Sequence, residues 1–214
     1  MGKRFIIILA VIFVFFAGFV FISKRNNSTS NISDGEGIVS QNLMGAGNKG
    51  VVLVEYGDFQ CPACAAYFPI IKQLKSDFGD DITFQFRHFP LVSIHQNAMA
   101  AHRAAEAAAK QDKFWEMHDL LYERQNVWVN TPNPTAIFEV YAAELGLDME
   151  QYLQDYSSSL VNDIINADVR SAQALGATST PTFVLNDERL AELPNSYDDF
   201  KSLIEDAIKQ QNDQ

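Results

Sequence analysis

Cysteine is scarce in this chain of 214 residues, which contains two. Two thiols cannot build the framework of a small disulfide-stapled domain, nor supply the four thiolates of an iron–sulfur or all-cysteine zinc site. Apolar residues make up 47% of the chain and charged residues 20%, which excludes a disordered or collagen-like protein. The length suits one domain, or one domain that carries an insertion.

Basic residues are also few, and they are concentrated near the N-terminus. The chain has 16 lysines and arginines against 27 aspartates and glutamates, and four of the basic residues lie in the first 25 positions, which contain no acid. The remainder has 12 basic and 27 acidic residues, a balance of 12 − 27 = −15. Because a nucleic-acid-binding protein has the opposite sign, we expect no nucleic-acid partner.

Residues 5–22 form an uninterrupted apolar run of 18 residues. As a helix this run would span about 27 Å, enough to cross the hydrocarbon core of a bilayer. A cleaved signal peptide has a shorter apolar region ending at small residues, whereas this run ends in bulky residues followed by Lys24 and Arg25. We therefore expect a retained transmembrane signal-anchor at 5–22, with residues 1–4 cytoplasmic. A cleaved signal peptide and a buried helix of a soluble domain are the alternatives.

Residues 23–48 have the composition of a flexible linker. Fourteen of these 26 residues are Ser, Asn or Gly, and they show neither a helical nor a strand period. The sequence therefore predicts a tether at 23–48, which connects the membrane segment to a folded domain at 49–214.

The folded domain shows a succession of strand and helix signals. Short runs rich in β-branched and aromatic residues predict strands, and apolar residues at helical spacing predict helices. The predicted strands lie near 51–56, 82–87, 182–185 and 189–193, and the helices near 61–78, 98–121, 136–145, 160–175 and 197–209. The first strand, helix and second strand have the length of a right-handed parallel crossover. The expected α/β fold is a small mixed sheet interrupted by an all-helical insertion at about 91–175.

Both cysteines fall in the motif Cys61-Pro62-Ala63-Cys64, where a predicted strand gives way to a helix. If Cys61 caps the helix, Pro62 occupies the first helical position, where its missing N–H is not needed. The Cys61 sulfur then faces unpaired N–H groups and the positive end of the helix dipole. This environment lowers a thiol pKa from about 8.5 into the range of roughly 3.5–7.5. The resulting thiolate is the nucleophile of disulfide exchange, and Cys64 lies one turn further along.

Two other interpretations of the motif are open. Half of a zinc site is one, but the chain has no second cysteine pair and no His-x3–5-His spacing. A purely structural disulfide is the other, but a loop of four residues restrains little chain entropy.

Glu55 and the dipeptide Thr180-Pro181 are further candidates. Glu55 lies in the predicted central strand, six residues before Cys61. A buried carboxyl is costly unless it is protonated, paired or functional, and the alternative is a glutamate solvated at an open strand end. Pro181 starts the strand near 182–185. Only about 5–6% of X-Pro bonds are cis, so this dipeptide alone is a weak signal.

Four segments together resemble the thioredoxin superfamily, and more closely its DsbA-like branch. The segments are Val54–Cys64, Phe86–Leu91, Lys113–His118 and Gly176–Phe183. The resemblance covers roughly residues 44–210 and implies a thioredoxin-like fold with an all-helical insertion, here preceded by one transmembrane helix. A lone C-x-x-C motif is not specific, whereas the joint pattern is.

The resemblance implies a role for each candidate residue. Cys61 is implied to be the attacking cysteine and Cys64 the buried resolving cysteine. Pro181 is implied to be cis and to face the disulfide, while the Thr180 backbone pairs with substrate. Glu55 matches the buried acid that serves proton transfer at the resolving cysteine.

Two departures from the family bear on which redox reaction the protein catalyses. The strongly oxidising members have a histidine between the cysteines, where this chain has Ala63, so one stabiliser of the thiolate is lost. The dimerisation domain of the isomerase relatives is absent from this sequence, which argues against isomerisation as the main role.

The function we expect is a membrane-anchored thiol:disulfide oxidoreductase. Its catalytic domain lies outside the cytoplasmic membrane, acts as a monomer and oxidises cysteine pairs of exported proteins. The electrons pass to an unidentified membrane redox partner. We expect no metal and no cofactor apart from the redox-active Cys61–Cys64 disulfide. A reductase of the same fold and a non-catalytic, membrane-tethered binding or chaperone module are the alternatives.

Overall fold

The computed structural model describes residues 39–213. The predicted cytoplasmic segment 1–4, the predicted transmembrane segment 5–22 and most of the predicted linker lie outside the described residues. Within 39–213, none of the helices combines the length and the apolar character needed to cross a membrane.

The strands of the described residues form one mixed sheet in the order β1-β3-β2-β4-β5. Their bounds are Leu43–Met44 (β1), Val51–Gly57 (β2), Ile82–His88 (β3), Thr182–Leu185 (β4) and Glu188–Arg189 (β5). β2 and β3 are parallel, and the other neighbouring strands are antiparallel. This order confirms the predicted mixed sheet and places β2, the strand that leads to the cysteine motif, at its centre.

The prediction of a flexible linker is wrong for residues 39–48. β1 pairs with β3, and the side chains of Ser40 and Asn42 are buried. The glycines that give this segment the composition of a tether are needed because its backbone lies close to β3. Gly45 has a φ of 98°, and a Cβ there would collide with the carbonyl oxygen of Ile82. Composition alone does not distinguish this tightly packed edge strand from flexible chain.

Four of the predicted helical segments are confirmed, the segment near 98–121 is divided into two helices, and the helices at Gln125–Trp128 and Met149–Ser157 were not predicted. Their bounds are Pro62–Phe78 (α1), Ala98–Ala109 (α2), Phe114–Glu123 (α3), Gln125–Trp128 (α4), Pro134–Glu144 (α5), Met149–Ser157 (α6), Ser159–Ala174 (α7) and Tyr197–Asn212 (α8). Helices α2 to α7 lie between β3 and β4, which confirms the all-helical insertion. Side-chain oxygens of Asp148, Ser158 and Ser196 accept main-chain N–H groups at the starts of α6, α7 and α8.

The last hairpin begins earlier than predicted. β5 is Glu188–Arg189 rather than a strand over 189–193. Asn186 and Asp187 have φ values of 48° and 67°, and such a left-handed pair makes a two-residue hairpin turn. The returning strand therefore starts directly after Asp187.

Three apolar clusters pack around the sheet, and the cysteines lie in one of the two larger ones. One of these two joins β2, β3 and β4 to α1 and α8 through residues such as Leu74, Phe183 and Phe200. The other joins the helical insertion to Phe59 and Phe86 and includes both cysteines. The cysteine motif therefore lies where the helical insertion meets the thioredoxin-like part of the fold.

Candidate active site

Cys61 is the N-cap of α1, and Pro62 follows it at the first helical position. The structure thus has the local geometry that the motif predicts. The main-chain carbonyl of Thr180 lies 3.4 Å from Cys61 Sγ and accepts its S–H. The Thr180–Pro181 peptide bond is cis, as the resemblance implies. Residues 119 positions apart in sequence therefore meet at the Cys61 sulfur.

The environment of Cys61 lowers its thiol pKa to about 5. The largest cause is a hydrogen bond from the Cys64 thiol, which opposes the increase due to burial. The main-chain N–H groups of Cys64 and Ala63 lower the pKa further. The helix N-terminus contributes as predicted, but the neighbouring thiol contributes more.

Cys64 is fully buried, and its thiol pKa lies well above the usual range. Burial is the main cause, and the hydrogen bond to Cys61 adds to it. The two thiols of one motif are thus strongly polarised: Cys61 is the one that ionises, while Cys64 keeps its proton.

Cys61 is less accessible than its position at a helix start suggests. Only 6% of its surface is exposed. Gln125 donates from its side-chain amide to the carbonyl oxygens of Phe59 and Cys61, so α4 packs over the turn before the motif. Sequence patterns within one segment do not reveal this contact between segments.

Glu55 is buried on β2, and its surroundings exclude the solvated alternative. Burial raises its carboxyl pKa to about 8, although the positive charge of Lys75 opposes this shift. Glu55 lines a small cavity of about 10 Å³, a size at the lower limit for one water molecule. A carboxyl with this pKa exchanges protons near neutral pH.

Lys75 is a site residue that sequence reasoning missed. Its ammonium group lies 3.7 Å from Asp119 Oδ1 and 4.2 Å from the ring centre of Trp115, and its side chain is nearly buried. Burial lowers the pKa of Lys75. Lys75 follows Ile71 by one helical turn on the buried face of α1. A lysine at such a position is the sequence feature that could have identified it as a site residue.

Within residues 39–213, no group of three or more His, Cys, Asp or Glu side chains is arranged to hold a metal ion. The predicted lack of metal and cofactor stays a prediction.

Solved structures of DsbA-like proteins share this fold. BdbD from Bacillus subtilis in its oxidised form has a TM-score of 0.69 and 24% identity, over 81% of this chain and 97% of that chain. A thioredoxin-like oxidoreductase from Silicibacter pomeroyi has a TM-score of 0.63 and 25% identity, over 82% and 95%. For α-DsbA1 from Wolbachia pipientis the TM-score is 0.65 and the identity 21%, over 79% and 92%. The fold is the DsbA-like form of the thioredoxin fold.

A family model described as thioredoxin matches residues 39–206. The chain therefore belongs to the thioredoxin family. The matched range begins before the predicted domain boundary at residue 49 and includes β1, in agreement with the corrected linker.

Curated relatives match over part of their length. The Na(+)/H(+) antiporter NhaA 1 of Mycolicibacterium vanbaalenii is 41% identical over 140 residues, 64% of this chain and 22% of the relative. The NhaA antiporter of Herminiimonas arsenicoxydans is 39% identical over 148 residues, 69% of this chain and 22% of the relative. This chain spans about a fifth of the length of these relatives. The antiport activity in their names belongs to whole proteins that are far longer than the matched part.

Proposed function

We propose that the protein is a thiol:disulfide oxidoreductase whose reacting groups are Cys61 and Cys64. The observation that carries this proposal is the polarised thiol pair at the start of α1. The pKa of Cys61 is lowered to about 5, while that of the fully buried Cys64 is raised. One thiolate beside one retained proton is the arrangement that stepwise disulfide exchange requires.

In the oxidising direction, a client thiolate attacks Cys61 Sγ of the Cys61–Cys64 disulfide. A client–Cys61 disulfide forms, the Cys61–Cys64 bond breaks, and the Cys64 sulfur leaves and takes up a proton. A second client thiolate then attacks the client sulfur of the mixed disulfide, which releases Cys61 as a thiolate. The client loses two electrons and the cysteine pair gains them. We assign the proton for Cys64 to Glu55, because its raised pKa lets it donate near neutral pH.

Oxidation of clients is the favoured direction. A low pKa stabilises the reduced, thiolate form of Cys61 and so makes the disulfide a better oxidant. The side chain of Ala63 provides no further donor, which limits this effect. Reduction of client disulfides by the same site is the second candidate, and the redox potential distinguishes the two.

The test is the redox equilibrium of the full chain with glutathione. We expect the Cys61–Cys64 pair to have a potential between about −120 mV, the value of the strongly oxidising DsbA, and about −270 mV, the value of the reducing thioredoxin. The fraction of reduced protein is read by alkylation and mass spectrometry at defined ratios of reduced to oxidised glutathione, with Cys61→Ser as the control that cannot close the disulfide. A potential at or below about −270 mV would favour the reductase, and one below about −300 mV would favour a structural disulfide. No exchange at all would favour a non-catalytic binding module.

The proposed site of action is the outer face of the cell membrane. The apolar run at 5–22 supports a retained anchor, which would hold the domain near exported clients and a membrane redox partner. N-terminal sequencing of the membrane-extracted protein is expected to begin at or next to Met1, since the run ends in bulky and basic residues. A start at Ser23 or beyond would contradict retention and support a cleaved signal peptide.

A further inference from the structure

The carboxylate of Asp58 is fully buried and holds three donors. Its Oδ1 accepts the main-chain N–H of Gln60 at 2.8 Å. Its Oδ2 accepts the main-chain N–H of Leu91 at 2.8 Å and His95 Nδ1 at 2.7 Å. Asp58 therefore fixes the turn before the cysteine motif and ties it to the loop that follows β3.

The main chain of the same residue contacts both cysteines. The N–H of Asp58 donates to Cys64 Sγ at 3.5 Å, and the N–H of Cys61 donates to the carbonyl oxygen of Asp58 at 3.0 Å. The orientation of this one residue therefore affects the Cys64 sulfur and the main chain of Cys61.

Two buried histidines, His102 and His88, link the Asp58 carboxylate to Glu106. His102 Nε2 lies 3.9 Å from Asp58 Oδ1, His102 Nδ1 lies 2.6 Å from His88 Nδ1, and His88 Nε2 lies 2.7 Å from Glu106 Oε1. Burial alone would raise the pKa of Asp58, but the nearby His102 and the hydrogen bonds from His95 and Leu91 outweigh it and hold the pKa below the usual range. The group is thus a carboxylate at neutral pH, which is the form that accepts all three donors.

We propose that Asp58 is a positioning residue for the cysteine pair: its carboxylate holds the turn that aims the Asp58 N–H at Cys64 Sγ. This N–H donates to the rear of the Cys64 sulfur, while the Cys64 S–H donates to the Cys61 thiolate. Donation into a group strengthens its own donation, because hydrogen bonds in a chain polarise one another. The inference rests on the proposed function in that these two sulfurs are the reacting groups.

A charge effect and a positioning effect predict opposite signs for Asp58→Asn. Removing a nearby negative charge would make the Cys61 thiolate easier to form and lower the pKa of Cys61. The asparagine places an amide NH2 where the carboxylate oxygen accepted two donors, so the turn is no longer held. The hydrogen bond from the Asp58 N–H to Cys64 then weakens, and with it the bond from the Cys64 S–H to Cys61. Positioning therefore predicts a higher pKa for Cys61.

The experiment measures the pKa of Cys61 by thiolate ultraviolet absorbance in the reduced full chain. We expect Asp58→Asn to raise this pKa by about 0.5–1, the equivalent of one ordinary hydrogen bond. Asp168→Asn is the matched control. Asp168 is also fully buried and accepts the main-chain N–H groups of Ser40 and His88, but it bonds to neither cysteine. An unchanged or lowered pKa of Cys61 in Asp58→Asn, or an equal rise in Asp168→Asn, would overturn the proposal.

A measurement on the unmodified protein decides the question if Asp58→Asn does not fold. The amide proton of Asp58 should be protected from exchange, and its NMR shift should follow the ionisation of Cys61 near pH 5. An unprotected amide, or a shift that does not change through this titration, would overturn the proposal. Reaction with oxidised glutathione is measured separately. Lack of reaction in the unmodified protein would refute the proposed function. The positioning role of Asp58 is decided separately, by the titration of Cys61.

Discussion

Replacing Cys64 with alanine is expected to arrest exchange at the mixed disulfide. The Cys61 thiolate of this variant can still attack oxidised glutathione or a client disulfide, which displaces one thiolate and leaves a mixed disulfide at Cys61. Release of that adduct within the protein requires the neighbouring Cys64 sulfur, which is held at a high effective concentration in the wild type. Without it, release should slow on the order of 10³-fold or more. Adduct formation and decay are followed by rapid acid quenching and mass spectrometry. Because the Cys64 thiol is also the largest cause of the low pKa of Cys61, this pKa should rise in the same variant.

Cys61→Ser provides the matched control for this prediction. It leaves only Cys64, which is fully buried and whose pKa is raised, so it should form no adduct and catalyse no exchange. Equal adduct formation by the two single variants would contradict the division of roles between the cysteines.

Glu55→Gln is expected to change the pH dependence of folding stability. The pKa of Glu55 is about 8 in the folded protein against 4.5 as the ordinary value. Between these values the folded state binds more protons than the unfolded state, so the glutamate lowers the stability of the protein as the pH rises. The variant should therefore gain about 3–5 kcal/mol relative to wild type between about pH 4 and pH 9. Urea denaturation of the two reduced proteins measures this difference.

Glu106→Gln is the control of opposite sign. Glu106 is also buried, but its hydrogen bonds to His88 and Asn42 outweigh burial and lower its pKa. This carboxylate stabilises the fold above its ordinary pKa, and the contribution is lost as the pH falls, so its replacement should cost more stability at high pH. Parallel stability curves for Glu55→Gln and wild type would contradict the assignment of a buried, protonated Glu55 and its role in proton transfer.

The local parts of the fold could be predicted because their signals are local. The alternation in β3 puts Ile82, Phe84 and Phe86 on the buried side, as the sequence pattern indicates. The cap at Cys61 and the proline after it depend on adjacent residues only. The helical insertion could be predicted from apolar spacing that repeats over many turns.

The parts that escaped prediction depend on contacts between distant segments. Residues 39–48 have the composition of a linker, and they are held by pairing with β3 and by the hydrogen bonds of Ser40 to Asp168 and of Asn42 to Glu106. The hydrogen bond to the Cys61 carbonyl oxygen comes from Gln125, which lies 64 positions away. The contacts of Asp58 with Leu91 and His95 follow from how the loop after β3 folds back, which no spacing along the chain encodes.

The order in which the two thiols react tests the central assignment most directly. The reduced full chain is treated briefly with limiting iodoacetamide across a range of pH, then unfolded, and the remaining thiol is given a second label. Fragmentation mass spectrometry then locates each label. We expect the first label on Cys61 with a midpoint near pH 5, while Cys64 stays unmodified until the protein unfolds. First labelling of Cys64, or no labelling of Cys61 below about pH 8, the behaviour of an ordinary thiol, would contradict the assignment.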